Sequence, residues 1–295
     1  MKHVLVRELM ELCQRNKDGS YSTQAARRDI LAQAGDQLVE MGYRDLRIAN
    51  LKQRHWQKLL ERWQSEGLSA ATIKNRMAHL RWWSQKIGKQ NLIPRTNSEL
   101  GVERRRYVTN TSKAKELPVG TLDKIKNERL RVSLELQATF GLRREECLKF
   151  QPTFALAGKS IADAQSIRLK DSWCKGGRAR EITISNEQQR EVLTRALAIA
   201  GLGSMIDKKM SYKEALKNYE NTTRRVGLSR LHGLRHLYAQ SRYRELTGWD
   251  VPACGGPTSR ELTAEQKVID HKVRLQISEE LGHSREAITA IYLGR

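Results

Sequence analysis

The chain has 295 residues, of which 54 are Lys or Arg and 33 Asp or Glu, giving a net charge of +21 with His neutral. An excess of that size implies a polyanionic partner, most often nucleic acid. The apolar runs are far too short to span a bilayer, and charges interrupt the apolar pattern of the N-terminal MKHVLVRELMELCQR, which argues against a secretory signal. The length suits two domains or one large one, and 39% hydrophobic residues are enough for real cores. A soluble, cytoplasmic protein is expected.

The charge is spread along the chain. Residues 1–100 carry +8, which leaves +13 for 101–295, so neither half is a mere basic tail. No basic amphipathic terminal helix or lipidation signal supports a membrane partner. The four cysteines, Cys13, Cys147, Cys174 and Cys254, include no CxxC pair. A zinc site is therefore not expected, and reduced structural thiols are.

Residues 1–95 read as an all-helical domain. Leu5, Leu9 and Leu12 form a first apolar face. Ser22 is a candidate cap for a second helix bearing Ile30, Leu31, Ala34, Leu38 and Met41 and stopped at Gly42. Asn50 is a candidate cap for a third, with Trp56, Leu59, Leu60 and Trp63 at helical spacing and Gly67 as its end. A fourth follows Ser69, with Ile73, Met77, Leu80 and Ile87 inward. From Gly67 to Ser98 there is no acidic residue, while Lys74, Arg76, Arg81, Lys86, Lys89 and Arg95 are basic. That leaves a cationic face suited to DNA phosphates, where each neutralised phosphate releases counterions. Trp82 and Trp83 are expected to pack rather than stack on bases.

Residues 96–118 have little apolar periodicity and contain the run Arg104, Arg105, Arg106. They read as a basic linker that either lies along a DNA backbone or serves as a hinge. A second domain, 119–295, opens with helices expected over Thr121–Glu128 and Arg131–Phe140. Ser166–Lys170 and Glu181–Ser185 alternate like short strands around DSWCKGGRAR, a candidate β-hairpin. Ser185 with Gln188, and Ser211 with Glu214, have capping-box spacing ahead of further helices. The fold class expected is mainly α with a small β-sheet.

Four short segments carry the chemistry: GLRREE at 141–146, CKGGRAR at 174–180, HGLRH at 232–236 and LGHSREAITAIYLGR from Leu281 onward. Breaking a phosphodiester with a side-chain hydroxyl needs an aimed nucleophile, stabilised non-bridging oxygens and a proton for the leaving oxygen. Arginine suits the second task because its planar fork gives two hydrogen bonds and stays charged. Lysine or histidine suits proton transfer.

In this order the segments resemble the tyrosine recombinase, or phage integrase, family, whose two-domain architecture joins a helical core-binding domain to a mixed catalytic domain. The motif match covers roughly 119–295, and the basic, helical 1–95 fits more loosely. The resemblance implies a catalytic set of Tyr292, Arg143, Lys175, His232, Arg235 and His283. Arg143 and Arg235 would clamp the phosphate, with Glu146 supporting and Arg144 the rival of Arg143. Lys175, with Lys170 as the weaker candidate, would protonate the leaving 5′ hydroxyl. His232 would assist proton transfer, and His283 would bond the phosphate. Tyr292 would attack to form a 3′-phosphotyrosyl bond, which conserves the bond energy, so no metal or ATP is implied. The implied DNA-binding residues are Lys74, Arg76, Arg81, Lys86, Lys89, Arg104, Arg105 and Arg106.

The implied partner is double-stranded DNA at specific sites, bound as a homo-tetramer with or without accessory bending proteins; without DNA a monomer is one option, and the oligomeric state there is left open. The setting would be a bacterial prophage or other mobile element, with the protein near the nucleoid. Two alternatives remain: a catalytically silent DNA-binding protein on the same fold, and a type IB topoisomerase-like relaxing enzyme. The chain departs from the family in two places. The Arg235–His283 interval is long, and TGWDVPACGGPTSRELTAEQ within it reads as an insertion. That leaves open a contact with DNA, a contact with a neighbouring subunit, or an outward bulge. Only Leu293, Gly294 and Arg295 follow Tyr292. The expectation there is a missing or removed subunit-docking segment, and a nucleophile helix, capped by Ser284 and carrying Ile288 and Ile291, that frays without DNA.

Overall fold

The structure, a computed structural model, describes residues 3–105, 107–283 and 285–295. The expected roles of Arg106 and Ser284 therefore lie outside the described residues. The chain divides into two compact units, Met1–Arg106 and Tyr107–Arg295.

The first unit is built from α1 (Val4–Arg15), α2 (Tyr21–Glu40), α3 (Gln53–Ser65) and α4 (Ala70–Lys86). Their apolar stripes meet in one core that includes Leu5, Leu9, Leu31, Leu38, Leu59, Met77, Leu80 and Trp83. Burying indoles requires partners for their N–H groups. Trp63 donates to Gln37 Oε1 at 2.8 Å, and Trp83 donates to the Ile48 carbonyl at 3.2 Å. Trp83 is thus packing, as expected. Trp82 is half-buried and donates to Asp18 Oδ2 at 2.8 Å beneath the Arg27 guanidinium. Ser69 caps α4 as expected, but two other caps differ. Ser20 caps α2 in place of Ser22, because its hydroxyl accepts the Thr23 N–H. Asn50 ends a 3-10 turn, and α3 starts after Lys52, whose N–H donates to His55 Nδ1 at 3.0 Å. Leu100 and Val102 join this core, so residues just past 96 belong to its packing.

The second unit begins with a 3-10 turn at Leu122–Lys124 where a helix over 121–128 was expected; Asn127 caps the next helix and interrupts any continuous one. α5 (Glu128–Thr139), α6 (Arg144–Lys149) and α7 (Pro152–Ala155) follow. The two-stranded sheet pairs β1 (Ser166–Leu169) antiparallel with β2 (Arg180–Thr183), with Ser166 opposite Thr183 and Leu169 opposite Arg180. α8 (Glu187–Ala200) is capped by Asn186, one residue beyond the expected Ser185; Ser185 instead donates its N–H to Gln189 Oε1. α9 (Tyr212–Arg225) has the expected capping box of Ser211 and Glu214. α10 (Gly233–Thr247), α11 (Ala264–Glu280) and α12 (Glu286–Leu293) complete the unit.

One core holds α5, α8, α10, the inner face of the hairpin and the last two helices together. α10 lies at its centre, packed on α5, α11 and α12. Among the described residues the cysteines are free and no helix is long and apolar enough to cross a membrane.

Candidate active site

The HGLRH segment forms the N-terminal turn of α10. His232, Arg235 and His236 are three and four residues apart, so they share one helix face. Over that face comes α12, whose Thr289 and Tyr292 are also three apart and both buried. Ile288 of the same helix is exposed, and Ile291 is half-buried. The Tyr292 hydroxyl lies 3.1 Å from His232 Nε2. The Tyr292 ring stacks on His283 with centroids 5.4 Å apart, and the Arg235 guanidinium lies 5.8 Å from its centroid. His283 Nδ1 is 3.2 Å from the Thr289 hydroxyl, which fixes its ring.

Arg235 is fully buried. Its terminal nitrogens donate to the carbonyls of Gly141 and Leu281. Arg143 donates to the same Leu281 carbonyl at 3.2 Å, so one backbone oxygen aligns both guanidiniums. Gly141 has to be glycine here: its φ is +59°, and a Cβ would meet the Tyr238 ring at 2.5 Å.

Glu146 organises the charges. It is fully buried and takes Arg143 Nη1 at 2.8 Å and both terminal nitrogens of Arg180 at 2.9 and 2.8 Å. Its second oxygen accepts the Arg143 backbone N–H at 2.7 Å. Burial pushes this carboxyl up, but the Arg180 hydrogen bonds and charge, with Arg235 and Arg143 behind them, outweigh that and hold it at about 2. Two guanidiniums thus share one carboxylate, with that of Arg235 close by on backbone carbonyls, leaving a positive pocket beside the tyrosine. Burial, then the Arg143 charge, lowers Arg235 to about 10. Burial, then the Arg235 and Arg143 charges, lowers His232 and takes His283 to about 3. The imidazoles are therefore neutral near pH 7. Two buried nitrogens in this pocket, Arg235 Nε and His236 Nδ1, have no hydrogen-bond partner among the described residues.

The structure brings together Tyr292, Arg143, Arg235, His232, His283 and Glu146. Lys175 is exposed on the hairpin turn and makes no hydrogen bond or ion pair among the described residues, while the preceding Cys174 Sγ accepts from Arg180 Nη1 at 3.2 Å. Lys170 lies 5.5 Å over the Phe154 ring. The rival Arg144 points instead to Glu220 at 2.8 Å. Arg180 is the member that motif reasoning missed. It sits two residues before the buried Ile182, so the alternation of β2 turns it inward. That period was legible, but the strand was expected to begin one residue later.

Three of the basic side chains expected to face DNA, Arg81, Lys86 and Lys89, also make bonds within their own unit. Arg81 donates to the Pro94 carbonyl at 2.7 Å and to Asn97 Oδ1 at 2.9 Å. Lys86 pairs with Asp18 at 2.8 Å, and Lys89 donates to the carbonyls of Ala49 and Leu51. Arg76 lies over the Trp63 ring at 5.1 Å. These side chains close loops that the absence of acids leaves with only carbonyls and distant carboxylates as partners. Lys74 and Arg104 make no such bond among the described residues; Arg104 and Arg105 are exposed. No group of three or more His, Cys, Asp or Glu side chains among the described residues is placed to hold a metal ion.

Two family models match the chain: one described as "Phage integrase, N-terminal" over residues 1–93, the other as "Integrase" over 104–241. No curated protein matches it. Among solved structures, a lambda integrase dimer bound to a COC′ core site is 15% identical with a TM-score of 0.57, covering 97% of this chain and 78% of that one. A second lambda integrase dimer on the same kind of site is 16% identical with a TM-score of 0.56, covering 98% and 95%. The Tn1549 transposon integrase in complex with circular intermediate DNA is 14% identical with a TM-score of 0.52, again covering 98% and 95%. At these identities the likeness is one of fold.

Proposed function

The chain belongs to the phage integrase family of tyrosine-type site-specific DNA recombinases, and on that premise we propose that it cuts and rejoins duplex DNA through a 3′-phosphotyrosyl bond to Tyr292. The observation that carries this reading is the 3.1 Å approach of His232 Nε2 to the Tyr292 hydroxyl beside the paired guanidiniums of Arg143 and Arg235.

His232, kept neutral by its surroundings, accepts the tyrosine proton as the oxygen attacks phosphorus. Arg143 and Arg235 bond the non-bridging oxygens, where charge grows in the transition state. Arg235 Nε and His236 Nδ1 add unspent hydrogen-bonding capacity beneath, and His283 adds a ring edge. The O5′–P bond breaks, and Lys175 delivers the proton to the leaving 5′ oxygen. The lysine is exposed on the hairpin turn, next to the Cys174 that Arg180 contacts. Attack by a 5′ hydroxyl of another strand reverses the step, without metal or ATP. Glu146 and Arg180 touch no reacting atom; they hold the two clamps at fixed angles.

Double-stranded DNA is the partner, engaged by Lys74, Arg104, Arg105 and Arg106, with Arg76, Arg81, Lys86 and Lys89 contributing field more than contact. A tetramer on DNA, with or without accessory bending proteins, in the setting of a bacterial prophage or other mobile element, completes the reading.

The test is trapping on nicked suicide DNA from the element's ends. Wild type is expected to form an adduct stable on a denaturing gel. Tyr292→Phe is expected to form none while binding the same DNA. An active Tyr292→Phe protein would remove Tyr292 as the nucleophile.

A further inference from the structure

The TGWDVPACGG stretch after α10 takes no part in phosphoryl transfer, yet Val251, Pro252 and Ala253 in it are buried, and its 3-10 turn Pro252–Cys254 packs on α12. Trp249 Nε1 donates to the Tyr243 hydroxyl at 3.1 Å, and that hydroxyl donates to Asp270. Asp270 in turn holds Arg274 Nε at 2.7 Å, and Arg274 Nη1 donates to the Gly294 carbonyl at 2.9 Å. Asn110 grips the next residue at both backbone groups: its Oδ1 accepts the Arg295 N–H at 3.0 Å, and its Nδ2 donates to the Arg295 carbonyl at 2.8 Å. Gln240 donates to the Tyr292 carbonyl at 2.9 Å and accepts the Ser112 hydroxyl at 2.9 Å. Gly294 fits between these walls with φ at +79°; a Cβ would lie 2.7 Å from Asn110 Oδ1 and 2.8 Å from the Ala253 nitrogen.

We propose that the 248–256 insertion, the 110–112 segment and the Asp270–Arg274 pair form a socket for the backbone of residues 292–295, with Asn110 and Arg274 as positioning residues for the Tyr292 nucleophile. The bonds converge on main-chain atoms, so the socket fixes where the helix lies and leaves the phenol free to react. Such fixing is needed because α12 has 8 residues, too few for a helix to hold itself in water. An in-line attack also tolerates little displacement of the attacking oxygen. The insertion thereby gains a role, and the nucleophile helix is anchored from within its own chain, where fraying was expected.

The role of the socket rests on the phosphotyrosyl reading, so the test has one arm that does not. In the full chain, Asn110→Ala and Gly294→Ala are compared with wild type for amide exchange over 286–293. In parallel, single-turnover adduct formation and equilibrium DNA affinity are measured on the suicide DNA. Exchange of α12 is expected to quicken by about tenfold. Adduct formation is expected to slow by about tenfold or more, with affinity held within about twofold because neither residue is among those engaging the duplex. Unchanged α12 exchange in both variants would overturn the socket. Faster exchange with an undiminished adduct rate would overturn its positioning role. A wild type that forms no adduct would strike the phosphotyrosyl reading alone, and the exchange arm would still decide the socket.

Discussion

Glu146 shows how one residue sets the geometry of a site from beneath it, through the arginine it bonds. Its carboxylate is bound by Arg143 and Arg180 with no exposure to solvent. Removing one partner from a buried, hydrogen-bonded set leaves the others uncompensated and costs about 3 kcal/mol or more. Glu146→Gln is therefore expected to lower stability by that order in chemical denaturation, and to slow adduct formation by misaligning Arg143. A variant with wild-type stability would contradict the burial argument. Lys175 calls for a different test, since it makes no bond to the cluster among the described residues. As general acid it should contribute about 10²–10⁴-fold. Lys175→Ala is expected to lose that factor on ordinary DNA and regain most of it on a substrate whose leaving 5′ oxygen is replaced by sulfur, which departs without a proton. Equal loss on both substrates would point to a binding role. Motif order singled out Arg143, Glu146, His232, Arg235, His283 and Tyr292. Arg180 escaped because its role comes from strand alternation and a carboxylate distant in sequence.

At the scale of elements, the errors were of register and the hits were of periodicity. Apolar spacing located the helical cores, but the caps fell one or two residues away, at Ser20 and Asn186. Capping depends on which side chain meets which N–H, and several nearby polar residues compete for the role. The Ser211–Glu214 box, with two mutually reinforcing bonds, was legible. Ser211→Ala should cost about 1 kcal/mol, measurable as a fall in the denaturation midpoint; no change would mean that α9 is held by packing alone. The internal partners of Arg81 and Lys89 were not legible for a related reason: a lysine or arginine without a nearby acid in sequence still finds carbonyls in space. Arg81→Ala is accordingly expected to loosen the 94–97 loop, seen as faster proteolysis there.

For the whole molecule, the histidines link stability to pH. His283 is held at about 3 and His236 at about 4, below the ordinary 6.5, and His55 in the first unit at about 4. Each lies below its unfolded value, so the unfolded chain binds more protons between those limits. Their contribution is thus full above pH 6.5 and lost as the pH falls toward 4 and then 3. Glu146, lowered to about 2 from 4.5, adds a loss in the same direction below pH 4.5. The thermal midpoint is expected to be flat above pH 7 and to drop between pH 6.5 and 4; a midpoint that rises on acidification would refute the buried neutral imidazoles. The net charge of +21 also predicts DNA binding that weakens steeply with salt, and a flat salt response would remove phosphate neutralisation as its basis.

The sequence by itself determined the helical character and the hairpin, because each is written in local spacing: three and four for helix faces, two for the hairpin. The ordered Arg, His and Tyr motifs pointed to the family and so to the candidate residues. Only the tertiary structure decided which basic side chains are already engaged, that Arg180 joins Arg143 at Glu146, and where the insertion after α10 packs. Those outcomes depend on pairs far apart in the chain, such as Arg180 with Glu146 and Asn110 with Arg295. No local period encodes a partner 34 or 185 residues away; folding supplies it by burying a charge beside its counter-charge and a peptide group beside an amide.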